Sequence, residues 1–189
     1  MRSTFFLAPL LALIVAGTAN AQVPEPTPTP DPHVYSDPAM TFAAPPDAVL
    51  VNRQEMSLGD LTEDLQPVAA WLLHAGKENA RLIQIEMEAY SGAPDQWESQ
   101  FESQTHGQQD GTLIKGKQPM ALLNGMPAYF VEVTYGSGFD AKKMYAVVWA
   151  DGQRGVVLSE TSRLGDATPE EAKNVLKQAT ATRYPVYAP

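Results

Sequence analysis

The sequence predicts an α+β domain in which an antiparallel sheet is flanked by helices. Three observations point there. Between residues 112 and 161, four strand-like segments follow one another across short turn signals such as Asn124-Gly125 and Asp151-Gly152. Strands joined by turns that short run antiparallel. Residues 81–90 alternate apolar and polar side chains, the period of a half-buried strand. Three further segments, near residues 61–72, 95–106 and 169–179, carry apolar residues at helical spacing and would cover such a sheet.

Taken in chain order, residues 1–21 read as a secretory leader. Arg2 is its sole charge, Phe5 to Val15 form an apolar core, and Ala19-Asn20-Ala21 offers the small residues of a cleavage site. The apolar run is shorter than the roughly 20 residues that span a bilayer, so stable membrane insertion after cleavage is not expected. The expected product starts at Gln22 and is periplasmic or secreted. Residues 22–34, opening QVPEPTPTPDPH, form a Pro-rich linker, because proline fixes φ and lacks a donor N–H.

A single domain is expected over residues 35–189. Met40–Ala44 and Ala48–Asn52 read as short strands about the Pro45-Pro46-Asp47 turn. Asp60 and Glu63 have capping-box spacing, and Leu61, Leu65, Val68 and Leu72 follow as a helical stripe that Gly76 ends, with Pro67 marking a kink or a first position. The strand over residues 81–90 breaks at Ser91-Gly-Ala-Pro94. A short helix follows with Trp97 and Phe101 one turn apart on its buried side. Strands over 112–123 and 126–135 flank Asn124-Gly125. Residues 143–150 are apolar on both faces, which marks a central strand, and 155–161 follow the Asp151-Gly152 turn. Thr168-Pro-Glu-Glu171 supplies an N-cap, a proline at the first position and a capping-box glutamate for the last helix. The expected order is ββ-α-β-α-ββββ-α.

Composition narrows the function classes. The chain has 13 Lys and Arg against 22 Asp and Glu; without the leader the balance is 12 against 22, a net charge of −10. A surface so acidic, without a basic stripe, argues against nucleic-acid binding. Cysteine is absent, so an exported domain must be stable through its own core.

Few residues suggest chemistry. His33, His74 and His106 have no second His or Cys at metal-ligand spacing, and no cofactor or metal is expected. Gly136-Ser137-Gly138 places a hydroxyl in a glycine loop but lacks the flanks of a nucleophile elbow. Glu86 with Glu88, and Glu98 with Glu102, could form carboxylate pairs; solvated faces are the expectation, since acid–base work needs two different environments. Trp97 and Phe101 are the candidate ligand-binding residues, should a pocket open between sheet and helix.

The order of elements resembles the Mog1/PsbP-like fold, which includes the DcrB-like bacterial proteins. The resemblance rests on Tyr35-Ser-Asp-Pro, on Met40-Thr-Phe-Ala-Ala-Pro-Pro46, on the Asn124-Gly-Met-Pro-Ala-Tyr-Phe-Val-Glu-Val133 hairpin and on the terminal helix. Ala48-Val-Leu stands where the family carries an aromatic. The resemblance implies a sheet with helices on both sides and a non-catalytic role in binding or assembly. The resulting expectation is an exported, non-enzymatic envelope protein with a protein partner; the alternatives are a small-ligand carrier and, more remotely, a small hydrolase.

Overall fold

A strand whose side chains are apolar on both faces must lie inside a sheet that is covered on both sides. The computed structural model, which describes residues 31–52, 65–108, 113–138 and 141–183, places such strands at its centre. In chain order the elements are β1 (Val34–Ser36), β2 (Met40–Ala43), β3 (Val49–Leu50), β4 (Gln66–Leu73), β5 (Arg81–Ala89), α1 (Pro94–Gln108), β6 (Leu113–Ala121), β7 (Pro127–Tyr135), β8 (Lys142–Ala150), β9 (Arg154–Arg163), α2 (Pro169–Leu176) and β10 (Thr180–Ala181). Seven of the strands form one antiparallel sheet in the order β3-β4-β5-β9-β8-β7-β6. The others form a small sheet, β1-β2-β10.

Each face of the large sheet has its own core. On one face Trp71, Ile83, Ile85, Phe130, Trp149 and Leu158 pack against Phe42 of the small sheet and against Ala172 and Leu176 of α2. On the other, Trp97 and Phe101 of α1 lie on Val131, Val133, Met144, Ala146, Val148 and Val157. Burying each large apolar side chain is worth about 1.5–3 kcal/mol, so both layers hold the sheet. The class is α+β with one helix on each face. α2 begins as its sequence requires: the Thr168 hydroxyl accepts from the Glu171 N–H, and the Glu171 carboxylate accepts from the Thr168 N–H.

Four expectations need correction. The segment read as a helix ending at Leu72 is strand β4 over Gln66–Leu73; the capping box at Asp60 and Glu63 lies outside the described residues. Ala69, Trp71 and Leu73 face one core at a period of two, while Val68, Ala70 and Leu72 are also apolar, so the two periods compete. The register shift between Pro67 and Ala69 shows how the proline is accommodated, at a bulge near the strand's start. Strand β5 is buried along both faces rather than one, with Gln84 and Glu86 inside. Finally, residues 31–34 of the expected linker belong to the folded unit: the Trp71 indole N–H donates to the Pro32 carbonyl at 2.8 Å, and Val34 opens β1. β10 was not foreseen; it is two residues long and has no readable period.

Candidate functional site

The end of the large sheet where β8 turns into β9 is fixed by one arginine. Asp151 ends β8, and its carboxylate accepts from the backbone N–H groups of Gln153 (3.0 Å) and Arg154 (2.8 Å). That arrangement sets the tight turn in which Gly152 takes φ 97°, a region glycine enters freely. Arg154 then closes back on Asp151 through Nε at 2.8 Å and reaches Asp37 of the β1–β2 turn through Nη1 at 2.7 Å. Asp37 also accepts from the N–H groups of Ala39 and Met40 and from the Tyr35 hydroxyl. Burial works to raise the Asp37 pKa, but the guanidinium and the two amides outweigh it and hold the carboxyl below its ordinary 3.8. Burial and the bond to Asp37 push the Tyr35 hydroxyl up to about 12.

Against this end lies a pocket of about 460 Å³. Its walls are Gly92 and Pro94, from the entry to α1, Met126 and Pro127, from the start of β7, and Ala150 and Gly152. Two charged residues complete it. Asp151 is almost fully buried, and both of its oxygens are taken up by the donors named above. Arg183 is exposed, and no carboxylate among the described residues pairs with it. Its place is fixed from behind. The Asn124 side-chain amide donates to the Ala181 carbonyl at 2.7 Å, and the Thr182 N–H donates to the Ala39 carbonyl at 2.8 Å. The pocket is thus an apolar recess with one uncommitted cation at its edge.

Trp97 and Phe101, the candidate ligand residues, are both 0 % exposed and pack into the core beneath α1. They line neither this pocket nor the smaller one beside Asp37 and Thr180. Trp97 sits on Gly155, where an added Cβ would overlap its indole ring, and its N–H points to the Val156 carbonyl at 3.4 Å. Its contacts are those of a helix anchor.

The carboxylate pairs are not solvated faces. Glu86 and Glu98 are buried, because α1 covers that face of the sheet. Three of these acids accept from named side chains: Gln84 donates to Glu86, Gln100 to Glu88 and Lys117 to Glu98. The Glu88 contact lies toward β5 and the Glu98 contact toward β6, on opposite flanks of α1, so the pairs do not converge on one point. Ser137 is exposed in the loop after β7 and lines neither pocket. His74 lies in the turn after β4 at φ 55°, with Nε2 3.6 Å from Asp47. His33 precedes β1, and His106 lies within α1. Among the described residues, no group of three His, Cys, Asp or Glu side chains could hold a metal ion, and no helix is long and apolar enough to cross a membrane.

No protein-family model matches the chain, and no curated protein resembles it in sequence. Solved structures do resemble it. LpqN of Mycobacterium tuberculosis, a protein involved in cell envelope biogenesis, superposes with a TM-score of 0.53 at 19 % identity, over 78 % of this chain and 87 % of LpqN. PA94 of Pseudomonas aeruginosa, a protein of unknown function proposed to be a regulator, gives 0.46 at 14 % identity, over 63 % of this chain and 85 % of its own. At such identities the LpqN likeness defines a shared α+β fold.

Proposed function

We propose that this chain is an exported, non-enzymatic binding protein of the cell envelope, and that the pocket at the β8–β9 end of the sheet receives a small ligand. The pocket itself carries the reading. Its volume of about 460 Å³ falls within the usual range for ligand sites, and its described walls are apolar side chains and glycines, with Asp151 and Arg183, rather than a nucleophile with a base. The leader sequence, the resemblance to the Mog1/PsbP-like fold and the structural likeness to an envelope-biogenesis protein support the same setting.

The described surface offers a protein partner less to hold. One edge of the large sheet is the two-residue strand β3, and the other, β6, carries Lys115, Lys117, Pro119 and a register shift, all of which discourage strand addition. Among the described residues the exposed large apolar side chains are Val34 of β1, Val49 and Leu50 of the short strand β3, and Leu123 and Leu164, which stand in separate turns.

Two measurements test the proposal. Expressed with its own leader, the protein is expected to have the intact mass of a chain starting at Gln22 and to fractionate with the envelope; a retained leader in the cytoplasm defeats the export reading. A thermal-shift screen of lipids, sugars and small acids should then give at least one saturable rise in Tm, since a ligand that binds only the folded state stabilises it. A flat response across all classes defeats the binding reading.

A further inference from the structure

The sheet-end pocket differs from the rest of this acidic molecule in the sign of the charge it offers. The whole chain has a formal net charge of −9, yet among the described residues that line the pocket the acidic side chain, Asp151, is buried and bonded through both oxygens, while the basic one, Arg183, is exposed and has no partner among the described residues. Arg183 is also held in place, because the residues just before it are tied to Asn124 and to Ala39. A cation beside an apolar recess, with no acid among the described residues to neutralise it, complements a ligand that has an apolar body and a single anionic head.

Resting on the pocket reading above, we propose that the site takes a small free amphiphile bearing one carboxylate. Its head pairs with the Arg183 guanidinium, which can donate two parallel hydrogen bonds to a carboxylate. Its hydrocarbon body lies over Pro94, Met126, Pro127 and Ala150. Met126 suits this role, because an unbranched thioether adapts to bodies of different shape. Asn124 is a positioning residue: it holds β10 against the hairpin and so fixes where Arg183 stands.

The test uses the full chain, expressed with its own leader and labelled with ¹⁵N, and octanoate, octan-1-ol and acetate as probes. Octanoate should shift the amide signals of Gly92 and Gly152 saturably, with acetate inert at the same concentration. Arg183→Gln should weaken octanoate binding about tenfold, the loss expected for one hydrogen-bonded charge, and Arg183→Lys should weaken it less. Octan-1-ol should bind the native protein as weakly as octanoate binds the glutamine variant. Octan-1-ol binding as tightly as octanoate, or an Arg183→Gln variant that binds octanoate undiminished, overturns the anionic head while leaving the pocket standing. No shift at Gly92 and Gly152 with either eight-carbon probe at millimolar concentration overturns the amphiphile proposal; the pocket reading falls with it only if the broader thermal-shift screen is also flat. Binding to phosphatidylglycerol vesicles without binding to octanoate overturns the proposal in favour of a membrane surface.

Discussion

The two ends of the long strands are each closed by an arginine on a buried acid, and the two acids respond in opposite ways. At the pocket end, Arg154 meets Asp37 and Asp151, and both carboxylates also accept backbone N–H groups. At the far end, Arg81 meets Glu160 at 3.2 Å, and there the Arg81 Nε and the Glu160 Oε2 have no hydrogen-bond partner among the described residues. Glu160 is 0 % exposed, and burial raises its pKa above the ordinary 4.5 in spite of the Arg81 charge, while Asp37 is held below its own ordinary value. A guanidinium alone does not secure a buried carboxylate. Glu160 is the more deeply buried and also feels the Glu171 charge, whereas half-buried Asp37 is held down by the Arg154 guanidinium together with the backbone amides of its turn.

That contrast can be broken most sharply from the arginine side. Arg154→Met leaves buried Asp151 and half-buried Asp37 without their cation and should lower stability by about 3–5 kcal/mol in urea unfolding. Arg81→Met should lower it distinctly less, because Glu160 can take up a proton; equal losses would erase the difference between the two ends. Asp37→Asn comes next, with a loss of about 2 kcal/mol at neutral pH, since it keeps the shape but removes the charge-assisted bonds. Its sign with pH follows from the lowered pKa. The contribution of Asp37 is complete above 3.8, where the unfolded carboxyl is ionised, and is lost as pH falls through the lower folded value. The gap between native protein and variant should therefore close in acid, as seen in unfolding curves recorded at falling pH.

Glu160→Gln should change stability by no more than about 1 kcal/mol at neutral pH, and its trend should run the other way. A raised carboxyl pKa stabilises the native protein below the unfolded value of 4.5, and that benefit is lost as pH rises through the folded value. Relative to the native protein, the variant should thus gain ground between acid and neutral pH. The smallest effect belongs to Arg183→Gln, within about 0.5 kcal/mol by thermal unfolding, because an exposed residue outside the strands holds no buried partner.

Much of the fold was legible in local patterns, and the candidate site was not. The strand over residues 81–90, the Asn124-Gly125 turn with Gly125 at φ 85°, the two-faced apolar run of β8 and the Thr168 capping box all reach the structure, although β5 is buried on both faces where its alternation reads as half-buried. Strand β4 was missed because Leu65, Val68 and Leu72 fit a helical stripe as well as Ala69, Trp71 and Leu73 fit a strand face. Trp97 was rightly placed on a buried helical face, but that spacing does not reveal Gly155, the notch against which the ring lies. The pocket draws on the entry to α1, the start of β7, the β8–β9 turn and a residue beyond β10. No linear motif joins such positions, and Arg183 becomes noticeable only once the acids have found their partners elsewhere.

The small sheet also sets the order in which the chain can be completed. Strand β2 is flanked by β1, its neighbour in sequence, and by β10, where Thr180 faces Thr41. A chain that emerges N-terminus first, from a ribosome or through a narrow pore, displays Phe42 long before its second flanking strand exists. Closure of so distant a pair is entropically slow, so this corner is expected to finish last. The same closing step sets Arg183 at the mouth of the pocket. Competence to bind would then appear only as β10 docks, which ties the site's availability to a late step of folding.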